Sequence, residues 1–264
     1  MSDAKGTDAV PSGGLLSKLW LPAAVAVGLL AGWDLAVRLS GSVIFPKPTD
    51  VAGGIIELAR KGLLVKYIVA SLFRVTVGFG LAVLVGVPAG LLLGWFQRLF
   101  SAFNPVIQVL RPISPIAWIP VAILWFGVDD RAPIFLIFLA SVFPITVSAM
   151  AAVQNIQPVY IRAARNFGIG RLELFRRVIF PATLPQVLTG LRIALGVAWL
   201  VVVAAEMIAV NSGLGYLIID ARNAGKRYDL VVAGMVMIGL IGLALDLLVR
   251  RLERFDEVRW GYSR

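Results

Sequence analysis

The chain is 264 residues long, 59% hydrophobic and only 15% charged, with a mean hydropathy of +0.88. Soluble domains run at roughly 45–50% apolar and about 25% charged, so lipid must cover surface that no interior of this size would hide. The absence of cysteine and histidine excludes disulfides, thiolate or imidazole metal centres, cysteine nucleophiles and histidine bases.

In chain order, residues 1–18 are polar and rich in Gly, Ser and Asp, and read as a disordered tail. A cleaved leader is not expected, because the apolar run from Trp20 is long and no small-residue cleavage site follows it. Six spans follow: Leu19–Leu39, Tyr67–Phe96, Phe103–Phe126, Pro133–Val153, Pro185–Val210 and Asp229–Val249. Pro112, Pro115 and Pro120 interrupt the third. Between the first two spans, the prolines of FPKPTDVAGGIIELARKG break the chain. Thr49 or Asp50 is placed to cap a short interfacial helix there. The reading is an all-α membrane protein, with one transmembrane domain over 19–255 and a charged tail over 256–264.

Lys and Arg set the orientation. Fourteen fall in the tails and the loops placed inside, and eight in the loops placed outside. Both termini are therefore expected in the cytoplasm. The net charge of +10 follows these loops and is read as topology, with no nucleic-acid partner.

The second span carries Gly78, Ala82, Gly86, Gly90 and Gly94, small residues four apart, which form a stripe for close helix packing. Charges within the spans need a reason. Arg192, Trp199 and Glu206 recur every seven residues and lie near one face of the fifth span. Arg74 and Arg111 lie in the second and third. Arg74, Arg111, Trp199 and Glu206 are candidates for a water-filled path, with Arg74 or Arg111 favouring anions. The plainer reading leaves Arg74 paired with Asp34 or Glu206, Glu206 holding helices together, Arg192 snorkelling to the interface, and Asp246 partnering a nearby arginine.

The long inner loop QPVYIRAARNFGIGRLELFRRVIFPATLPQ reads as two short amphipathic helices. Pro158 suits the start of the first and Gly168 its end, and Pro181 is expected to stop the second before the chain re-enters the bilayer. Its stretch Arg162-Ala163-Ala164-x3-Gly168-x9-Val178-x-Phe180-Pro181 resembles the EAA loop of ATP-binding-cassette importer permeases. Both alanines, the glycine and the proline stand at the family spacing, and Arg162 replaces the leading glutamate. The likeness extends over roughly residues 20–255 and is nearest to the permeases of the nitrate, sulfonate, taurine and bicarbonate group.

This resemblance implies a type I importer fold whose loop is a coupling helix. It assigns Arg162, Ala163, Ala164, Phe167, Gly168, Arg171 and Pro181 to contact with an ATPase. It also implies two ATPase subunits carrying ATP and Mg²⁺, a second permease subunit (a homodimer), and an extracytoplasmic substrate-binding protein. No catalytic residue, metal or cofactor is expected on this chain. It lacks G-x-x-x-x-G-K-[ST], since Gly225-Lys226 is followed by Arg227. A stand-alone secondary transporter or channel is the alternative. A membrane enzyme is a third reading, but the acidic pairs Asp129-Asp130 and Asp256-Glu257 fall in loops among charged neighbours.

Overall fold

The computed structural model describes residues 15–41 and 44–252. Most of the polar N-terminal stretch and the tail over 256–264 lie outside them. The described residues form helices and loops with no strand, as expected where lipid offers the backbone no partners. Helix α1 spans Leu15–Ser40, α2 Pro48–Arg60, α3 Leu63–Trp95, α4 Gln97–Leu110, α5 Ile119–Phe126 and α6 Arg131–Gln154. Then come α7 Pro158–Asn166, α8 Arg171–Leu174, α9 Phe180–Ala209, α10 Leu214–Asn223 and α11 Tyr228–Leu252. Five helical stretches are long and apolar enough to cross a membrane, and a sixth crossing is available if the bent α4–α5 segment counts as one.

Helices α3, α6 and α9 form the core. An ideal Cβ on Gly78 would lie 2.8 Å from the Ile134 carbonyl oxygen and the Ile137 side chain, and one on Gly94 2.7 Å from the Met150 carbonyl oxygen. The stripe therefore faces α6 of the same chain, and α3 and α6 run parallel with their backbones in near contact. Gly190 of α9 meets Ser148 on the neighbouring face of α6. Helix α1 stands at the periphery, with Trp20, Leu21, Val27, Leu29 and Leu39 exposed where lipid would cover them.

Three expectations need correction. The third span is not one rod. Helix α4 and the segment Pro115–Phe126 meet at 82°, because Pro112 and Pro115 withhold two N–H groups and clash with the preceding turn. Pro181 stops nothing. A π turn over Phe175–Ile179 widens the helix just before it, and the chain runs on from Arg171 to Ala209 as one 39-residue stretch. The loop after the fifth span also holds a helix that the sequence reading did not assign, α10, whose Leu214, Leu217 and Ile218 are buried. At α2 the cap is Lys47 rather than Thr49 or Asp50. Asp50, in the first turn, accepts a hydrogen bond from the Lys47 N–H at 3.2 Å.

Candidate functional site

Three places on the fold hold polar groups that apolar helices would otherwise exclude: the end nearest α10, the break between α4 and α5, and the elbow formed by α7 and α8.

At the α10 end, Arg74 is 1% exposed and Glu206 fully buried, and they pair at 2.6 Å. All five guanidinium N–H groups of Arg74 are engaged. Nε and Nη2 donate to Asp130 at 2.9 and 2.7 Å, Nη1 to Glu206 and to the Ser212 carbonyl, and Nη2 also to the Ser212 hydroxyl. Glu206 accepts further bonds from the Ser71 hydroxyl at 2.8 Å and the Gly215 N–H at 3.0 Å. The Leu214 N–H donates to Ser71 in turn. A side chain at Gly213, whose φ is +107°, would collide with the Glu206 carboxylate. The knot thus ties α3, α9, the start of α6 and the turn into α10.

The proposed water-filled face of α9 is not open in this structure. Arg74, Trp199 and Glu206 are all buried within the chain. The heptad residues of α9 bind neighbouring helices instead. Arg192 donates to Asp246 at 2.7 Å, the Trp199 indole N–H donates to the Ile238 carbonyl at 3.1 Å, and Glu206 enters the knot. Asp34 is taken by Arg38 and leaves Arg74 to Glu206.

Arg111 differs. It closes α4 at the break, its side chain is exposed, and no carboxylate pairs with it among the described residues. It borders a cavity of about 250 Å³, walled by Trp118, Phe143, Pro144 and Val197 among others. A larger and more open groove of about 820 Å³ lies between α1, α2 and α11. Several of its charged residues are already paired, as in Arg227–Glu57 at 2.6 Å, and Glu57 is held down to about 2 chiefly by its hydrogen bond to Arg227. Among the described residues no group of His, Cys, Asp and Glu could hold a metal ion.

The elbow is rigid for local reasons. Gly168 takes φ +75° and donates to the Arg165 carbonyl at 2.9 Å, while Ile169 donates to the Ala164 carbonyl at 3.2 Å. This double closure satisfies the last carbonyls of α7, and only glycine enters it without strain. Ala164 faces inward, packed in one cluster with Leu174 and Ile179. Its small size therefore serves close approach within the chain, and Pro181 is half-buried behind it. Arg162, Ala163 and Arg171 are exposed, and Phe167 and Leu172 protrude at 86% and 83% exposure.

The family sequence model described as "binding-protein-dependent transport system inner membrane component" matches residues 82–255, which include the break, the elbow and most of the knot. The chain belongs to this family. The taurine transport system permease protein TauC of Escherichia coli (strain K12) is 37% identical over 238 residues, covering 87% of this chain and 86% of TauC. The nitrate import permease protein NrtB of Synechocystis sp. (strain ATCC 27184 / PCC 6803 / Kazusa) is 34% identical over 246 residues, covering 89% and 88%. Among solved structures, a bacterial ABC transporter involved in alginate import shares the fold, with a TM-score of 0.61 at 17% identity over 91% of this chain and 95% of that one.

The protein is thus a permease subunit of an ABC importer, a transport component of the inner membrane with a type I fold. The stand-alone carrier and the membrane enzyme are set aside. Sequence reasoning offered the Arg74–Glu206 pair in its plainer reading and left Asp130 in a solvated loop, but missed Ser71, Ser212 and Gly215, which complete the knot. The signal was present in SGLG, six residues after Glu206, where two glycines make room for a buried carboxylate.

Proposed function

We propose that this permease imports a small anion or zwitterion of the nitrate, taurine or alkanesulfonate kind by alternating access. It works as a homodimer in a bacterial plasma membrane, with both termini cytoplasmic. Two ATPase subunits hold ATP and Mg²⁺, and a binding protein delivers the solute from outside. The solute class is supported by the two relatives named for taurine and nitrate. The excess of Lys and Arg in the elbow and tails supports the orientation.

One observation carries the motor partner. The elbow turns two large apolar side chains, Phe167 and Leu172, into open space on either side of the glycine closure at 168. Two large apolar groups this exposed, set among arginines, suit a contact with another protein. Arg162, Ala163 and Arg171 stand beside them, while Ala164 and the stretch through Pro181 fasten the elbow to α9. A push on the elbow therefore reaches a 39-residue helix directly.

The test is Gly168→Val in the complete transporter, reconstituted with uptake of nitrate, taurine and ethanesulfonate measured in parallel. Valine at a positive φ costs about 1–2 kcal/mol and distorts the closure. The expected result is normal membrane insertion with solute-dependent ATP hydrolysis and uptake reduced more than tenfold. Hydrolysis that still responds fully to solute in this variant would remove the coupling role.

A further inference from the structure

We propose that the cavity at the α4–α5 break is an anion-binding station on the transport path, in which Arg111 meets the charged head of the solute. This rests on the reading of the protein as an importer of small anions and deepens it to one residue.

Position comes first. The 14 residues of α4 advance about 21 Å along its axis before the break. The facing wall comes from Leu139 to Pro144 in the middle of α6 and Val197 in the middle of α9. Arg111 is therefore well inside the span rather than at a helix end within reach of headgroups.

Pairing comes second. Away from the outer ends of the core helices and of the broken span, three arginines remain among the described residues. Arg74 is saturated and Arg192 is bound to Asp246. Arg111 has no carboxylate partner among the described residues. An arginine at this depth is costly, so its environment must hold water or an anion.

Shape comes third. Irregular backbone at membrane depth persists only where protein buries it or where it lines a wet cavity, and here the 82° bend borders a cavity. At about 250 Å³ the cavity lies below the roughly 300–1,000 Å³ typical of drug-sized pockets. It suits a solute of few atoms. Trp118, Phe143 and Pro144 offer apolar walls to a short organic stem, and low-dielectric walls concentrate the field of Arg111.

The chain has no cysteine, so the cavity can be probed by a single introduced thiol. Val197→Cys, in the complete transporter in membrane vesicles, is labelled with a sulfonate-bearing and a trimethylammonium-bearing methanethiosulfonate. Normalised to the two reagents' rates with a free thiol, the expected ratio favours the sulfonate reagent by about a hundredfold. A charge about 10 Å away at an effective dielectric near 20 speeds one reagent and slows the other by about tenfold each. Adding Arg111→Gln should abolish that preference and Arg111→Lys should keep it. Membrane yield of each variant controls for folding. No labelling by either reagent, or a preference that survives Arg111→Gln, overturns the proposal. Because the reagents report the cavity without any transported solute, this result stands apart from the uptake panel. A transporter that imports none of those anions while the cavity still selects the sulfonate reagent would refute the solute class and leave the anion station intact.

Discussion

Arg74 and Arg111 are the same side chain carried on apolar helices of one fold, and the fold treats them in opposite ways. Arg74 meets two carboxylates, a hydroxyl and a carbonyl, with all five donors engaged. Arg111 sits at a helix break against a cavity, with no carboxylate from its own chain among the described residues. A buried charge whose hydrogen bonds are complete is part of the scaffold. One left open at a break in the helix is free to serve a visitor. The partner count separates them.

The knot is where this contrast breaks most sharply. Glu206→Ala leaves a fully buried guanidinium facing Ser71 and the Gly213 turn without its inner carboxylate, a change that costs about 3–5 kcal/mol. The expected outcome is loss of most folded protein from the membrane, read as detergent-extracted yield and thermal midpoint. The double variant Arg74→Met with Glu206→Leu removes both charges and should recover much of that loss. A double variant no better than Glu206→Ala would mean that the pair does more than satisfy itself.

Asp130→Asn gives a smaller effect on the same arginine. Its side chain is 48% exposed, so water can replace part of what is lost. The cost expected is about 1 kcal/mol, at the upper end of exposed pairs, because the partner is buried. A loss as large as that of Glu206→Ala would show that the outer arm is as enclosed as the inner one.

Much of this was legible in the chain, and what was not has a physical cause. Helix number and most boundaries follow from apolar run length, which lipid enforces without reference to packing. The glycine stripe of α3 was readable as a packing face because a spacing of four keeps residues on one side of a helix, and its partner proved to be α6. The Ala163–Ala164–Gly168 elbow was readable because its closure is local in sequence. Of the knot only the Arg74–Glu206 pair was offered, since Arg74, Asp130, Glu206 and Ser212 come together from positions up to 138 residues apart. Pro181 misled because a proline normally ends a helix, and only the π turn before it admits the ring. Trp199 and Glu206 misled because a polar face on an apolar helix looks the same whether it borders water or a neighbouring helix.

A third arginine, Arg227, extends the comparison to the surface and gives the smallest effect. It joins Glu57 at the foot of α2 to Asp229 at the start of α11, with side chains partly exposed. The Glu57 carboxyl is held near 2, against an ordinary value of 4.5, chiefly by the Arg227 hydrogen bond and then by that from Lys61. A depressed carboxyl contributes its stabilisation in full above the unfolded value and loses it as pH falls through the folded one. The difference in thermal midpoint between the wild type and Glu57→Gln should therefore be flat from pH 8 to 6. It should begin to shrink below about 4.5 and be roughly halved near pH 3. High salt should shrink it at every pH, because these charges stand in solvent. A difference that held constant down to pH 3 would mean that α2 is fastened to α11 by the packing of Gly54 against Leu230 and the Asp229 backbone, with the ion pair a bystander.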